Sequence, residues 1–294
     1  MVVDKPAGWT SHDVVAKLRR IYGLRKVGHA GTLDPDATGV LLVGMGSATR
    51  LLQFLQLAGK TYRGRVAFGT ATDTLDASGR VVRSCLMEPT REQVVAAAGA
   101  MTGEIDQMPP MVSAVKVGGR RLYEIARSGE EVERSSRKVR VNRFEIESFD
   151  EGEESGFPSA TVLVECSSGT YVRSLAADLG AALGGCAHLA ELRRLSVGSF
   201  TLAEACSMDE IEADPDAALK SCREAVRDLV QATADEQQAK EIGHGAVFPA
   251  GTIVKDGSVG PTAVVGPDGE LLAVYEGTAR GDKPVVVLAS ASTQ

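Results

Sequence analysis

Apolar positions change period along the chain, and each change marks an element. Val14, Val15, Leu18 and Ile21 recur at helical spacing behind Thr10-Ser-His-Asp13, which has the side chains of a helix N-cap. A helix is predicted there, entered through the turn Lys5-Pro-Ala-Gly-Trp9. Val40 to Gly44 is an apolar run of strand length, and Leu51, Leu52 and Leu55 mark a helix over 48–57. Residues 60–69 alternate with a period of two, which sets Tyr62 and Val66 on one side of a strand. Thr90, with Gln93 three residues on, opens an amphipathic helix reaching Met101. Alternation resumes over 137–149 through Val139, Val141, Phe144 and Ile146; an acidic hairpin tip spans 150–159, and 160–166 returns as a strand. Gly169-Thr-Tyr171-Val-Arg173 is a loop that starts a helix, and Ser207-Met-Asp-Glu210 caps a helical stretch over 208–230 broken near Asp214-Pro215. Beyond 239, apolar runs at 246–248, 262–265, 271–275 and 285–288 alternate with Gly, Pro and Asp turns, the pattern of a small β-barrel.

Two polar stretches interrupt this pattern. Residues 69–79 are rich in Thr and Asp, and Asp73 and Asp76 read as turn stabilisers rather than as a metal pair, since no third ligand accompanies them. Residues 102–121 are broken by Pro109-Pro110, hinged by Gly118-Gly119 and tipped by Arg120-Arg121, as a flap would be; residues 122–129 close it as a short helix stopped by Gly129.

A chain of 294 residues is long for one core, so a large domain and a smaller one are expected, with the boundary near residue 230. The first residues read as the start of a strand, and a few leading residues are expected to precede them. With no cationic leader and no apolar run of bilayer length, a cytoplasmic protein is expected. Five scattered cysteines without a CxxC pair signal neither a disulfide framework nor a zinc site, and the four histidines show no metal spacing. Net charge is −7, yet residues 1–83 carry 12 Lys and Arg against 6 Asp and Glu, whereas residues 201–294 carry 7 against 16. A polyanion partner at the basic front half is therefore open, despite the acidic total.

The candidate chemistry centres on Gly28-His-Ala-Gly31-Thr-Leu-Asp34-Pro-Asp36-Ala-Thr-Gly39, a glycine-bent loop beside an apolar strand. Asp34 either caps a short helix begun by Pro35 or stands as a carboxylate at a cleft floor. Without metal ligands, a phosphate-loop signature or a Ser-His pair, the remaining chemistry is that of a carboxylate acting alone. A paired arginine would lower its pKa and keep it ionised. Aromatic neighbours suit a planar ring such as an extruded RNA base.

That loop resembles the catalytic motif of the TruB family of tRNA pseudouridine synthases. The resemblance continues, in the family's order, through 4–13, Lys60-Thr-Tyr62, Thr72-Asp-Thr-Leu-Asp76, 109–116, Gly169-Thr-Tyr171-Val-Arg173 and Leu192-Arg193-Arg194. It implies an α+β fold: a mixed, mostly antiparallel central sheet with flanking helices over residues 1–230, an RNA-gripping insertion at 109–127, and a small PUA-like β-barrel over 231–294. It implies isomerisation of uridine 55 in the T-arm loop of tRNA to pseudouridine, by a monomer with no cofactor, no metal and no guide RNA. By position, Asp34 would be the nucleophile, attacking the uracil ring or the ribose anomeric carbon. Tyr62 would stack on the flipped base and serve the later proton transfer, and Arg173 would pair with Asp34. Tyr171 and Leu192 would wall the pocket, and His29 would brace the gap left in the RNA loop. Three rivals stand beside this reading: the guide-RNA-dependent branch of the same superfamily, which typically carries longer basic extensions that are absent here; an RNA-folding or RNA-binding protein in which Asp34 is only a cap; and a carboxylate-based hydrolase that releases free base.

Overall fold

Period-two alternation builds the centre of the molecule, a computed structural model that describes residues 1–111, 116–117, 120–121, 134–152, 156–255 and 260–288. The front of the chain supplies β1 (Val2–Lys5), α1 (Ser11–Tyr22), β2 (Val27–Ala30), β3 (Thr38–Met45), a 3₁₀ turn (Gly46–Leu51), α2 (Leu52–Gln56) and β4 (Lys60–Phe68). A short pair, β5 (Thr70–Thr72) and β6 (Val81–Ser84), precedes α3 (Arg91–Ala100), β7 (Gly103–Gln107), β8 (Lys116–Val117) and β9 (Arg120–Arg121). Then come β10 (Arg137–Asp150), β11 (Ser159–Cys166), α4 (Val172–Ala182), β12 (Ala187–Val197) and β13 (Phe200–Thr201).

The main sheet runs β1-β3-β12-β4-β11-β10-β7, with β2 on β3 and β13 on β12. Its pairings are antiparallel except β3 with β12, which makes it a mixed sheet. Strand β4 buries Tyr62, Gly64, Val66 and Phe68 and exposes Arg63 and Arg65, as the alternation requires. On the buried side α3 and α4 cover the sheet through Val94, Ala98, Leu175 and Leu179. Helix α1 and α5 (Met208–Ala213) pack Val14, Leu18 and Ile211 on Val3, Leu41 and Val43. The capping boxes at Thr10, Thr90 and Ser207 are all formed.

After α6 (Cys222–Ala225), strand β14 (Val230–Thr233), helix α7 (Glu236–Gly243), and strands β15 (Thr262–Val265), β16 (Leu271–Thr278) and β17 (Gly281–Val287) form a second, four-stranded sheet in that strand order. It has its own core around Ile242, Phe248, Val264 and Tyr275, and it docks Ala263, Leu271, Val274 and Val286 on Leu51 and Phe54. The 246–248 run makes only an isolated bridge, Phe248 to Asp282, through a reciprocal pair of backbone hydrogen bonds. The helical stretch expected over 208–230 is likewise reduced to two short helices separated by Asp214-Pro215 and the turn after it.

One expectation from the sequence is corrected: Cys85 and Cys186 form a disulfide. Their 101-residue separation hides it, since the pairing arises where the end of β6 meets the turn before β12. Gly69 bridges the two at the backbone, donating to the Cys186 carbonyl (2.8 Å) and accepting from the Cys85 amide (2.9 Å). Most of the insertion expected at 109–127, and the whole of the short helix expected at 122–129, lie outside the described residues. Among the described residues, no helix is long and apolar enough to cross a membrane.

Candidate active site

Between β2 and β3 the loop carrying Asp34 is pinned on several sides. Ser11, at the start of α1, accepts from the Leu33 amide (2.9 Å) and donates to its carbonyl (3.3 Å). Lys5, fully buried, donates to the carbonyls of Pro6, Trp9 and Pro35, and Gly8 donates to Pro35 as well. Gly31 and Gly39 take positive φ, and at Gly39 a Cβ would lie 2.2 Å from the Arg194 carbonyl oxygen. No helix begins at Pro35; the Ala37 amide instead closes a turn on the Asp34 carbonyl at 3.1 Å. The Asp34 side chain is free of a capping role and turns towards Arg173.

Arg173 sits in the first turn of α4 and is buried. Its Nε lies 3.1 Å from Asp34 Oδ2 and its Nη2 3.2 Å from Oδ1, a two-pronged pair. Its Nη1 donates to the Thr74 carbonyl (3.0 Å) and lies 3.3 Å from Asp76 Oδ2. The start of α4 is held by Gln107, which donates to the Tyr171 carbonyl and accepts from its amide. The Thr74–Asp76 turn is held by β12: Leu189 donates to the Leu75 carbonyl and Ala77 to the Leu189 carbonyl. Leu75 has φ +65°, and Asp76 Oδ1 accepts from the Thr74 hydroxyl and the Ser78 amide. Asp76 thus stabilises its turn with one oxygen and reaches Arg173 with the other, a role that spacing alone does not reveal. Asp73 accepts from the Arg80 amide and belongs only to the turn.

These groups face a cleft of about 1030 Å³, lined also by His12, Arg63 and Leu192. Burial raises the Asp34 pKa above its ordinary value, with Asp76 and Asp36 adding to the rise and Arg173 and Lys5 opposing it. The arginine lowers it, as expected, yet the net shift is upward. Desolvation at the cleft floor is the larger effect.

The structure brings Asp34, Arg173 and Leu192 to one cleft and sets the other three candidates around it. Tyr62 is buried behind the floor, packed in the same core as Leu33 and Ala37, and its cross-strand partner is Arg194. Burial raises the phenol's pKa, while the Arg194 cation opposes that rise. His29 stands behind His12, ring centroids 5.5 Å apart, and it is His12 that lines the cleft. Burial and the neighbouring His12 hold the His29 imidazole down to about 4, so it is neutral at physiological pH. Tyr171 lies at the start of α4 under the Arg137 guanidinium, 5.7 Å from ring centroid to Cζ. Arg194 is a further organising residue: fully buried, it donates to the carbonyls of Val40 (2.7 Å) and Gly31 (3.1 Å) and so fixes both ends of the Asp34 loop.

Comparison with known proteins gives a consistent set of similarities. The family profile for the TruB family pseudouridylate synthase N-terminal domain matches residues 19–172. Profiles for the tRNA pseudouridylate synthase B C-terminal domain and the tRNA pseudouridine synthase II C-terminal region match 173–233 and 232–289. The chain is 45% identical to the tRNA pseudouridine synthase B of Thermobifida fusca (strain YX) over 296 residues, 98% of each chain. It is 46% identical to that of Mycobacterium sp. (strain KMS) over 301 residues, 99% of this chain and 96% of the other. Among solved structures, a Cbf5-Nop10-Gar1 complex contains a chain with a TM-score of 0.76 and 26% identity, covering 99% of this chain and 85% of that one.

Proposed function

The chain belongs to the TruB family of pseudouridine synthases, and on that premise we propose that it converts uridine 55 in the T-arm loop of tRNA to pseudouridine, with Asp34 as nucleophile. The observation that carries this reading is the two-pronged Asp34–Arg173 pair at the floor of a cleft large enough for an everted nucleotide. Extruding a loop nucleotide costs a few kcal/mol, which contacts along the cleft offset. Arg173, held by Thr74 and Asp76, orients the carboxylate, and the ionised form attacks either the uracil ring or the ribose anomeric carbon. The N1 glycosidic bond breaks, the uracil turns, and a C5 glycosidic bond forms in its place. The C5 proton is then lost, N1 takes up a proton, and the carboxylate is released, so the net change is an isomerisation. Leu192 walls the ring, Tyr62 serves the C5 proton step from behind the floor, and Tyr171 and His29 support the pocket from its second layer. The protein acts without a guide RNA.

The test is mass-spectrometric mapping of pseudouridine in an unmodified tRNA transcript incubated with the protein alone. Conversion at uridine 55, lost in Asp34→Asn while tRNA binding persists, supports the reading. Unchanged conversion by Asp34→Asn overturns the assignment of the nucleophile. Free uracil in the digest overturns the isomerase in favour of a hydrolase.

A further inference from the structure

Among the described residues, the cleft that the proposed function fills with RNA offers that RNA no arginine without a carboxylate. Four described arginines line it, and no described lysine does. Arg173 meets Asp34 and Asp76. Arg63, exposed on β4, makes a two-pronged pair with Glu147 of β10, Nε to Oε2 at 2.7 Å and Nη2 to Oε1 at 2.9 Å. Arg65, two residues on along the same face, meets Glu191 of β12 through Nη2 at 2.8 Å and Nε at 2.9 Å. Arg193 meets Asp4 at 2.6 Å and the Thr38 hydroxyl at 3.1 Å. Arg65 and Glu191 are direct cross-strand partners on the polar face of the sheet, and Glu147, at a register shift of β10, reaches Arg63 across β11.

Such pairing changes what a phosphate gains on arrival. A free arginine carries a counterion atmosphere and releases it when RNA binds, which makes binding indiscriminate and steeply salt-dependent. An arginine already neutralised from within releases nothing, and the phosphate must displace a carboxylate that then stands nearby as a like charge. These pairs are exposed, with side-chain exposures of 54% and 27% for Arg63 and Glu147 and 45% and 69% for Arg65 and Glu191, so they are weak enough to be exchanged. An RNA whose shape delivers its backbone to this face can exchange them, whereas an arbitrary polyanion gains little from doing so.

We propose that Glu147 and Glu191 are specificity-determining residues: by holding Arg63 and Arg65 in internal ion pairs, they suppress binding of RNA that lacks the matching shape. The proposal rests on the cleft being the RNA site. It is tested by filter binding of an unmodified tRNA transcript and of a plain RNA hairpin, over a series of salt concentrations, with the wild type, Glu147→Gln, Glu191→Gln and the double variant. Each freed arginine is expected to steepen the log Kd against log salt slope for the hairpin by about 0.7 to 0.9. The double variant should bind the hairpin roughly tenfold tighter at low salt, a larger gain than for tRNA, so that discrimination falls. If the double variant melts as the wild type does and keeps the wild-type hairpin affinity and slope, the proposal is overturned. Pseudouridine formation by the wild-type protein is measured in parallel: its absence removes the functional reading, and this proposal with it. Its presence together with unchanged slopes removes this proposal alone.

Discussion

Arg173 meets Asp34 edge to edge, two nitrogens on two oxygens at 3.1 and 3.2 Å, and turns its third nitrogen to Asp76. A lysine at 173 would keep the charge and lose the fork. Charge-assisted bonds of this kind contribute about 1.5–3 kcal/mol each, so Arg173→Lys is expected to lower single-turnover pseudouridylation by roughly 10- to 100-fold. Affinity for tRNA should change far less. Equal losses in both would assign Arg173 to binding.

The raised Asp34 pKa sets the direction of two pH effects. On the proposed mechanism activity needs the carboxylate, so it should fall on the acid side with a midpoint above the 3.8 of an ordinary aspartate, and Arg173→Lys should move that midpoint higher still. Stability runs the other way. The folded state disfavours ionised Asp34, so its contribution improves as pH falls through the native pKa and is complete below 3.8. Urea titrations should show the wild type gaining on Asp34→Asn between pH 7 and pH 3.5, and a constant difference would refute the shift.

Tyr62 is 7% exposed and packs with Leu33 and Ala37 beneath the loop. Removing its ring should therefore destabilise the fold as well as the site. Tyr62→Ala is expected to cost about 3–5 kcal/mol, whereas Tyr62→Phe keeps the packing and costs about 1 kcal/mol. Turnover by Tyr62→Phe should be slow in a protein that melts almost normally; wild-type turnover would remove the hydroxyl from the proton step.

Gly39 has φ +103° and a Cβ there would overlap the Arg194 backbone, in the parallel pairing of β3 with β12. Gly39→Ala should destabilise by about 3 kcal/mol or more, since strain and overlap with immovable atoms act together. Gly46, with φ +56° and nothing within 4 Å of its missing Cβ, is the matched control, at about 1 kcal/mol. Denaturation midpoints that fail to separate the two would contradict the close approach.

The Cys85–Cys186 bridge predicts three titratable thiols, Cys166, Cys206 and Cys222, in protein denatured without reductant, and five after reduction. Cys186→Ser should lower stability by up to about 4 kcal/mol, because the bridge closes a long loop of the unfolded chain. Five thiols before reduction would refute the bridge.

Much of this architecture is legible in the sequence, and what is not shares a cause. The strands at 60–68, 137–150 and 159–166 follow from alternation, and the capped helices from Thr10 and Thr90 follow from local chemistry. The Asp34 loop stands out through its glycines and the Asp-Pro step. Its pairing with Arg173, 139 residues away, enters only through family resemblance. Burial is invisible to spacing, so the rise in the Asp34 pKa is reversed in a reading that counts only charges. The same holds for Lys5, Lys60 and Arg194, buried cations satisfied chiefly by carbonyls that no pattern identifies as partners. Regional charge counts likewise miss pairings across the chain, since Lys17 and Arg63 meet Glu212 and Glu147 from its far part.

In chain order Asp34 precedes, and Arg173 follows, the long antiparallel pair formed by β10 and β11. A polypeptide severed in the connection between those two strands would leave the acid on one fragment and the guanidinium on the other. Each piece alone would be inert, and their recombination, zipped along that ladder, would restore turnover. The enzyme thereby carries a built-in complementation assay, in which pseudouridine appears only when both halves have found each other.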